Sequence, residues 1–250
     1  MKPMYHIGFG DSHKAKYAIL PGDPGRVERI AALLDEPRFF HQNREYTTWL
    51  GKLEGENVLV MSTGMGGPST AIGVEELCQT GVTTFIRVGT CGGMQLDVVG
   101  GDLVVATGAV RMEGTSREYT PIEYPAVADL AVTNALAQAA RALGHTCHTG
   151  VVHCKDSFYG QHAPERMPVG DELRYKWQAW IKAGCLASEM ESAALFIVAQ
   201  ALRVRAGTVL TTVWNQERAR AGLPNPETHD SSDAIRTAID AIRILIRAGS

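Results

Sequence analysis

The chain has 250 residues, 45% of them hydrophobic and 20% charged, a composition that suits one large soluble domain spanning residues 1–250. Lys+Arg number 24 against 27 Asp+Glu, and a net charge of −3 removes the electrostatic case for nucleic acid or an anionic membrane as partner. Five cysteines without a CxxC pair or zinc spacing read as free thiols, and the lack of a long apolar run points to a cytoplasmic protein.

YAIL (17–20) is the first apolar strand and runs into LPGDPGRVERI (20–30), where Gly22-Asp23-Pro24-Gly25 turns the chain and a helix begins near Arg26. A helix start with free N–H groups beside an arginine can seat an anion, but GDPGR is equally an ordinary strand–turn–helix connection. Arg44, in NREYTTW, reads by itself as a solvated charge at a strand edge. VLVMS (58–62) is the next strand, and Pro68 opens a helix that Gly81 terminates.

TTFIRV (83–88) reads as a core strand with GTCGG as a glycine-rich turn after it. Arg87 is out of place there, because strands buried on both faces are near-continuous apolar runs and a buried arginine needs a partner. Two explanations fit. Arg87 and Thr90 hold an oxyanion at the strand's carboxyl end, or Arg87 pairs with a buried carboxylate and the glycines serve the turn alone.

DLVVA (102–106), GVVH (150–153) and GTVLTTV (207–213) are further strands, and Val127 to Leu143 is an alanine-rich helix. The segment 156–172, DSFYGQHAPERMPVGDE, reads as a long loop of the kind that forms lids or binding loops. Ser188 to Leu202 reads as a helix, with Ser188-x-x-Glu191 fitting a capping box. Ile235, Ile239, Ile242 and Ile246 share one face of a C-terminal helix. Strands alternating with helices predict an α/β fold with a central mixed, largely parallel sheet flanked by helices.

GDPGR, REYTTW, STGMGGPS and RVGTCGG, in this order and spacing, resemble the nucleoside phosphorylase family, most closely its uridine phosphorylase branch, from His6 to the C-terminal helix. The resemblance implies a partly barrel-like domain in which Gly22, Arg26, Arg87 and Thr90 hold inorganic phosphate, with Arg44 supplied by a neighbouring subunit. It places His6 (from across a dimer), Thr90, Met190 and Glu191 on ribose, with Glu189 in support, and Gly92, Phe158, Gln161 and Val213 around the base. Arg26, Arg87, Gln161 and Glu191 would carry catalysis.

The family's arginine two residues after the glutamine is Ala163 here, so Arg166 is expected in its place. Lys155 is an added cation, expected to point toward ribose or phosphate. Asn215 stands where purine-specific relatives carry an acid, which argues against 6-aminopurines. Glu45 and Ser69 resemble residues that hold a monovalent cation such as K+ at the dimer interface. The implied reaction is phosphorolysis of uridine to uracil and ribose 1-phosphate in pyrimidine salvage. Phosphate is the co-substrate, and no cofactor or covalent enzyme intermediate is required, in a hexamer built from dimers. The alternatives are a purine or methylthioadenosine phosphorylase on the same scaffold, a nucleosidase, or a non-catalytic nucleoside-binding protein.

Overall fold

The structure, a computed structural model, describes residues 2–249. β1 (Tyr17–Pro21) leads through a 3-10 turn (Pro24–Arg26) into α1 (Val27–Ala31), followed by β2 (Asp35–Asn43), β3 (Tyr46–Leu53) and β4 (Glu56–Met61). Next come α2 (Gly67–Gln79), β5 (Thr84–Gly93), β6 (Leu103–Met112), α3 (Thr115–Tyr119), β7 (Ala126–Val127) and α4 (Leu130–Ala142). Then follow β8 (Cys147–Lys155), α5 (Phe158–His162), a 3-10 turn (Pro164–Arg166), α6 (Gly170–Lys182) and β9 (Ala187–Glu189). α7 (Ser192–Ala201), β10 (Arg205–Asn215), α8 (Gln216–Arg220) and α9 (Ser232–Arg247) come last.

All ten strands belong to one sheet, in the order β10-β6-β8-β9-β5-β1-β4-β3-β2, with β7 on β6. Because β10 also pairs with β5, the strands β10, β6, β8, β9 and β5 close into a barrel, and β1, β4, β3 and β2 extend from it as an open wing. β5 is the shared spine. On one edge it pairs in parallel with β10 along its whole length, from Thr84 to Gly93. On the other it pairs with β1 only as far as Val88, and with β9 only at Gly92 and Gly93. Residues 89–91 therefore have no strand partner on that second edge, which opens a gap in the sheet between the end of β1 and β9.

Alternation along β5 sends Phe85 and Cys91 into one apolar core and Ile86 and Val88 into the other. The second core receives the stripe of α9, where Ile235, Ile239 and Ile242 pack with Leu136, Ala139 and Ala140 of α4, and Ile246 sits at its margin. Among the described residues no helix is long and apolar enough to cross a membrane. The five cysteines are unpaired, with Cys91, Cys154 and Cys185 buried.

Several sequence expectations are corrected. GTCGG is not a turn, because β5 continues through Gly93 in register with Thr211–Asn215 of β10. The alanine-rich helix starts at Leu130, where the Asp129 carboxylate accepts the Val132 N–H, and Val127 belongs to β7 instead. The stretch from Ser188 is a strand and then a helix, since Ser188 and Glu189 pair with β8 before α7 begins. Within 156–172 the chain forms α5, a 3-10 turn and the start of α6 in place of an irregular loop.

Candidate active site

Arg87 lies at the gap between β1 and β9 and is only 6% exposed. Its Nη2 donates to Glu191, and its Nε lies 3.4 Å from the Glu189 carboxylate, an ion pair lacking hydrogen-bond alignment. Nη1 is buried without a hydrogen-bond partner. A Cβ placed on Gly22 would sit 3.9 Å from Nη1 and 3.0 Å from the Gly64 carbonyl, so this nitrogen faces the glycine turn after β1. Arg26 is half-buried in the same turn and close enough to Arg87 for the two cations to repel; burial, more than that repulsion, holds its pKa below the ordinary value. Of the two explanations for Arg87, the pairing with buried carboxylates is met, by Glu191 and Glu189. Arg87 also has one nitrogen to spare beside a second arginine.

Gly89 explains how the guanidinium fits. A side chain at 89 would place its Cβ 2.8 Å from Arg87 Nη2, because residues i and i+2 share a strand face. Thr90, half-buried, stands in the middle of the gap, and Gly92 marks the point where β9 joins β5.

Glu191 is 4% exposed and its carboxylate is held from two sides. Oε1 accepts the Gly66 N–H at 2.7 Å and Oε2 accepts Arg87. Gly66 can present that N–H because its φ of 90° is open to glycine and costly for other residues. Burial raises the Glu191 pKa, and Arg87 opposes the shift. Met190 beside it is half-buried. The capping-box reading is overturned here: Glu189 caps α7, accepting the Glu191 N–H at 3.0 Å and the Ser192 N–H at 2.9 Å, which leaves both Ser188 and Glu191 for other contacts.

A second cluster gathers around Ser188 and Gln161. Ser188 Oγ donates to Gln161 Oε1 at 2.8 Å and accepts from Lys155 Nζ at 2.9 Å, while His153 Nδ1 lies 3.0 Å away. Gln161 Nε2 donates to Gln216 Oε1 at 3.2 Å. Lys155 thus points to the glutamine side of the site, and its bonds are to Ser188 and to the Glu189 carbonyl, at 3.4 Å. Phe158 is exposed and tilts against the His162 ring with centroids 4.4 Å apart. Val213 is the bulged residue of β10, at the register shift between Thr212 and Trp214.

Arg166 does not meet Gln161. It is exposed, with its guanidinium over the Tyr159 ring, 5.9 Å from the centroid. Asn215 is fully buried and serves as the cap of α8. Its Oδ1 accepts the Glu217 and Arg218 N–H groups, and its Nδ2 donates to the Gln95 and Val98 carbonyls.

His6 and Arg44 meet each other's surroundings instead of the Arg87 pocket. The Glu76 carboxylate accepts the N–H groups of His6 and Ile7 and lies 2.7 Å from His6 Nδ1, and Asn43 Nδ2 donates to the His6 carbonyl. Arg44 follows Asn43, exposed in the β2–β3 turn at φ 53°. Among the described residues neither has a hydrogen bond or ion pair to Arg26, Arg87, Thr90 or Glu191. Glu45 Oε1 accepts the Ser69 hydroxyl at 2.7 Å, which lowers the Glu45 pKa. Ser69 Oγ also touches the Thr63 carbonyl, so an all-oxygen set of carboxylate, hydroxyl and carbonyl gathers there.

Gln216 and Glu76 escaped the sequence reading, because their partners Gln161 and His6 lie 55 and 70 positions away and meet only in the folded chain. Ser188 read as a helix cap and Gly89 as part of a turn, and neither reading showed the contacts they make with Gln161, Lys155 and Arg87.

The phosphorylase superfamily model matches residues 16–248. A uridine phosphorylase from Treponema pallidum is 54% identical over 246 residues, covering 98% of this chain and 95% of that protein. A uridine phosphorylase from Klebsiella aerogenes is 42% identical, with 97% and 98% covered, and a guanosine phosphorylase from Halorubrum lacusprofundi is 41% identical, with 98% and 99% covered. With motifs, barrel and pocket in agreement with that match, the chain belongs to the phosphorylase superfamily.

Proposed function

We propose that this chain is a uridine phosphorylase, a pentosyltransferase that converts uridine and inorganic phosphate to uracil and ribose 1-phosphate. The observation that carries this reading is the pairing of Arg87, with its spare buried Nη1 facing Gly22 and Arg26, with Glu191, a buried acceptor in the same gap. Phosphate takes Arg26, Arg87, Gly22 and Thr90, because planar guanidinium donors offset the loss of its hydration. Ribose hydroxyls donate to Glu191, whose ionised oxygens only accept, and pack on Met190. Uracil lies against Phe158, Gly92 and Val213, with its carbonyl edge on the Gln161 amide.

As the glycosidic bond stretches, the sugar gains positive charge and the base negative charge. Phosphate beneath the sugar stabilises that cation and then captures it, and Gln161 supports the departing base. No side chain forms a covalent bond. Catalysis comes from positioning and from fixed donors, and one such donor is worth about 3 kcal/mol.

Arg44 and His6 act on the site of a second copy, in a dimer-based hexamer located in the cytoplasm. Their joint seat around Asn43 and Glu76 supports this reading, since one rigid patch would deliver both. A monovalent cation fits the oxygen set of Glu45 and Ser69, where it would brace the interface without entering the chemistry.

The test is the ultraviolet change on mixing the protein with uridine, with and without phosphate. Phosphate-dependent formation of uracil supports the proposal, and cleavage without phosphate would make the protein a nucleosidase. A second reading, guanosine phosphorolysis, draws on the 41% identical Halorubrum protein and on the missing arginine at Ala163. Guanosine cleaved in the same assay, with uridine left intact, would establish it instead.

A further inference from the structure

Lys155 is the only buried lysine among the described residues, at 5% exposure, and no carboxylate there lies within ion-pair distance of it. An ammonium group removed from water needs compensating charge or hydrogen bonds, and Lys155 has two acceptors for its three N–H bonds. It lines a cavity of about 410 Å³ together with Gln161, His153, Met112, Leu173 and Trp177, a mostly apolar wall in which a fixed charge acts at low dielectric.

The contacts form one directed chain. Lys155 Nζ donates to Ser188 Oγ, Ser188 Oγ donates to Gln161 Oε1, and the Gln161 amide N–H is turned the other way, toward Gln216. Donation into an amide oxygen polarises the amide and strengthens its N–H as a donor, and each link here pushes in the same sense. The arrangement also fixes which end of Gln161 faces which partner, because Lys155 can only donate.

Building on the uridine phosphorylase reading, we infer that Lys155 is a positioning residue for the leaving base: through Ser188 it orients and polarises Gln161, so that the amide supports negative charge on the departing pyrimidine. It takes over the task for which Arg166, stacked on Tyr159, is not in place. No bond to Lys155 is made or broken in the reaction.

The test compares uridine with 5-fluorouridine, whose base is the more acidic leaving group and needs less support. Single-turnover phosphorolysis isolates the chemical step. Lys155→Met is expected to lose roughly 100-fold on uridine and roughly 10-fold on 5-fluorouridine, with Lys155→Arg recovering part of both. Ser188→Ala, which keeps the ammonium and cuts the relay, is expected to show the same ordering, and it decides the matter if Lys155→Met does not fold. Equal fold-losses on the two substrates would overturn the inference, since a purely structural role slows both alike. A wild-type protein inactive on uridine and phosphate defeats the underlying reading instead, before any variant is made.

Discussion

Arg87 is held by two buried carboxylates, Glu189 and Glu191, and in the proposed reaction it also binds phosphate. Replacing it with alanine would leave Glu189 and Glu191 buried without their cation, and breaking a buried pair in this way costs about 3–5 kcal/mol. Arg87→Lys keeps the charge and removes the fork. We expect it to fold, with melting close to wild type, and to lose roughly 100-fold in kcat/KM for phosphate, as read from initial rates across phosphate concentrations. Gly89→Ala tests the same geometry from the backbone. Its Cβ would press on Arg87 Nη2, so we expect a raised KM for phosphate with little change in secondary structure by circular dichroism.

His13 carries a pH prediction. It is fully buried, its Nδ1 accepts the Ala15 N–H at 2.9 Å and its Nε2 meets the Thr80 hydroxyl, and burial pushes its pKa down to about 4. The unfolded chain takes up a proton below the ordinary value of 6.5, and the folded chain refuses it until about 4, so stability falls as pH drops through that window. At pH 5 the loss amounts to about 2 kcal/mol from this residue. Urea unfolding at pH 7 and pH 5 checks it, and the acid-induced loss should be smaller by that amount in His13→Gln.

At the scale of elements, β5 and its neighbours decide where a site can exist. The spine is paired on both edges except at residues 89–91, and the ends of β1 and β9 bring Gly22 and Glu189 to the two sides of that opening. Helix α9 belongs to the opposite, structural side. Ile242 is fully buried against α4, so Ile242→Ala should destabilise the fold by about 2–5 kcal/mol and leave KM for both substrates unchanged. The strongly patterned elements were legible in advance: the stripe of α9 and the apolar runs of β1, β4 and β10 declare themselves by periodicity. β2 was not, because it is an edge strand, mostly exposed, whose DEPRFFHQN sequence has no buried face to impose alternation.

For the whole molecule, the seat of His6 and Arg44 makes a quantitative expectation about assembly. If each site borrows Arg44 from a second copy, a dimer of one Arg44→Ala subunit and one Arg87→Lys subunit has one intact site and one doubly damaged site. Random re-association of equal amounts should then restore about a quarter of wild-type activity, although each variant alone is nearly inactive. Activity in the mixture no higher than the mean of the two variants would show that the sites are not shared.

The sequence by itself determined the layered α/β architecture, because hydrophobic periodicity and turn chemistry are local. It also marked the stretches around Arg26, Arg87 and Glu191 as candidates for a site, because glycines and charges are conspicuous inside apolar runs. Only the tertiary structure decided what those residues do for one another. Arg87 meets Glu191 across 104 positions, Gly66 meets it across 125, and Lys155 reaches Gln161 through Ser188. Such pairings arise when the barrel closes and strands distant in sequence become neighbours. Local propensity therefore carries no trace of them, and a serine that looks like a helix cap can turn out to join a lysine to a glutamine.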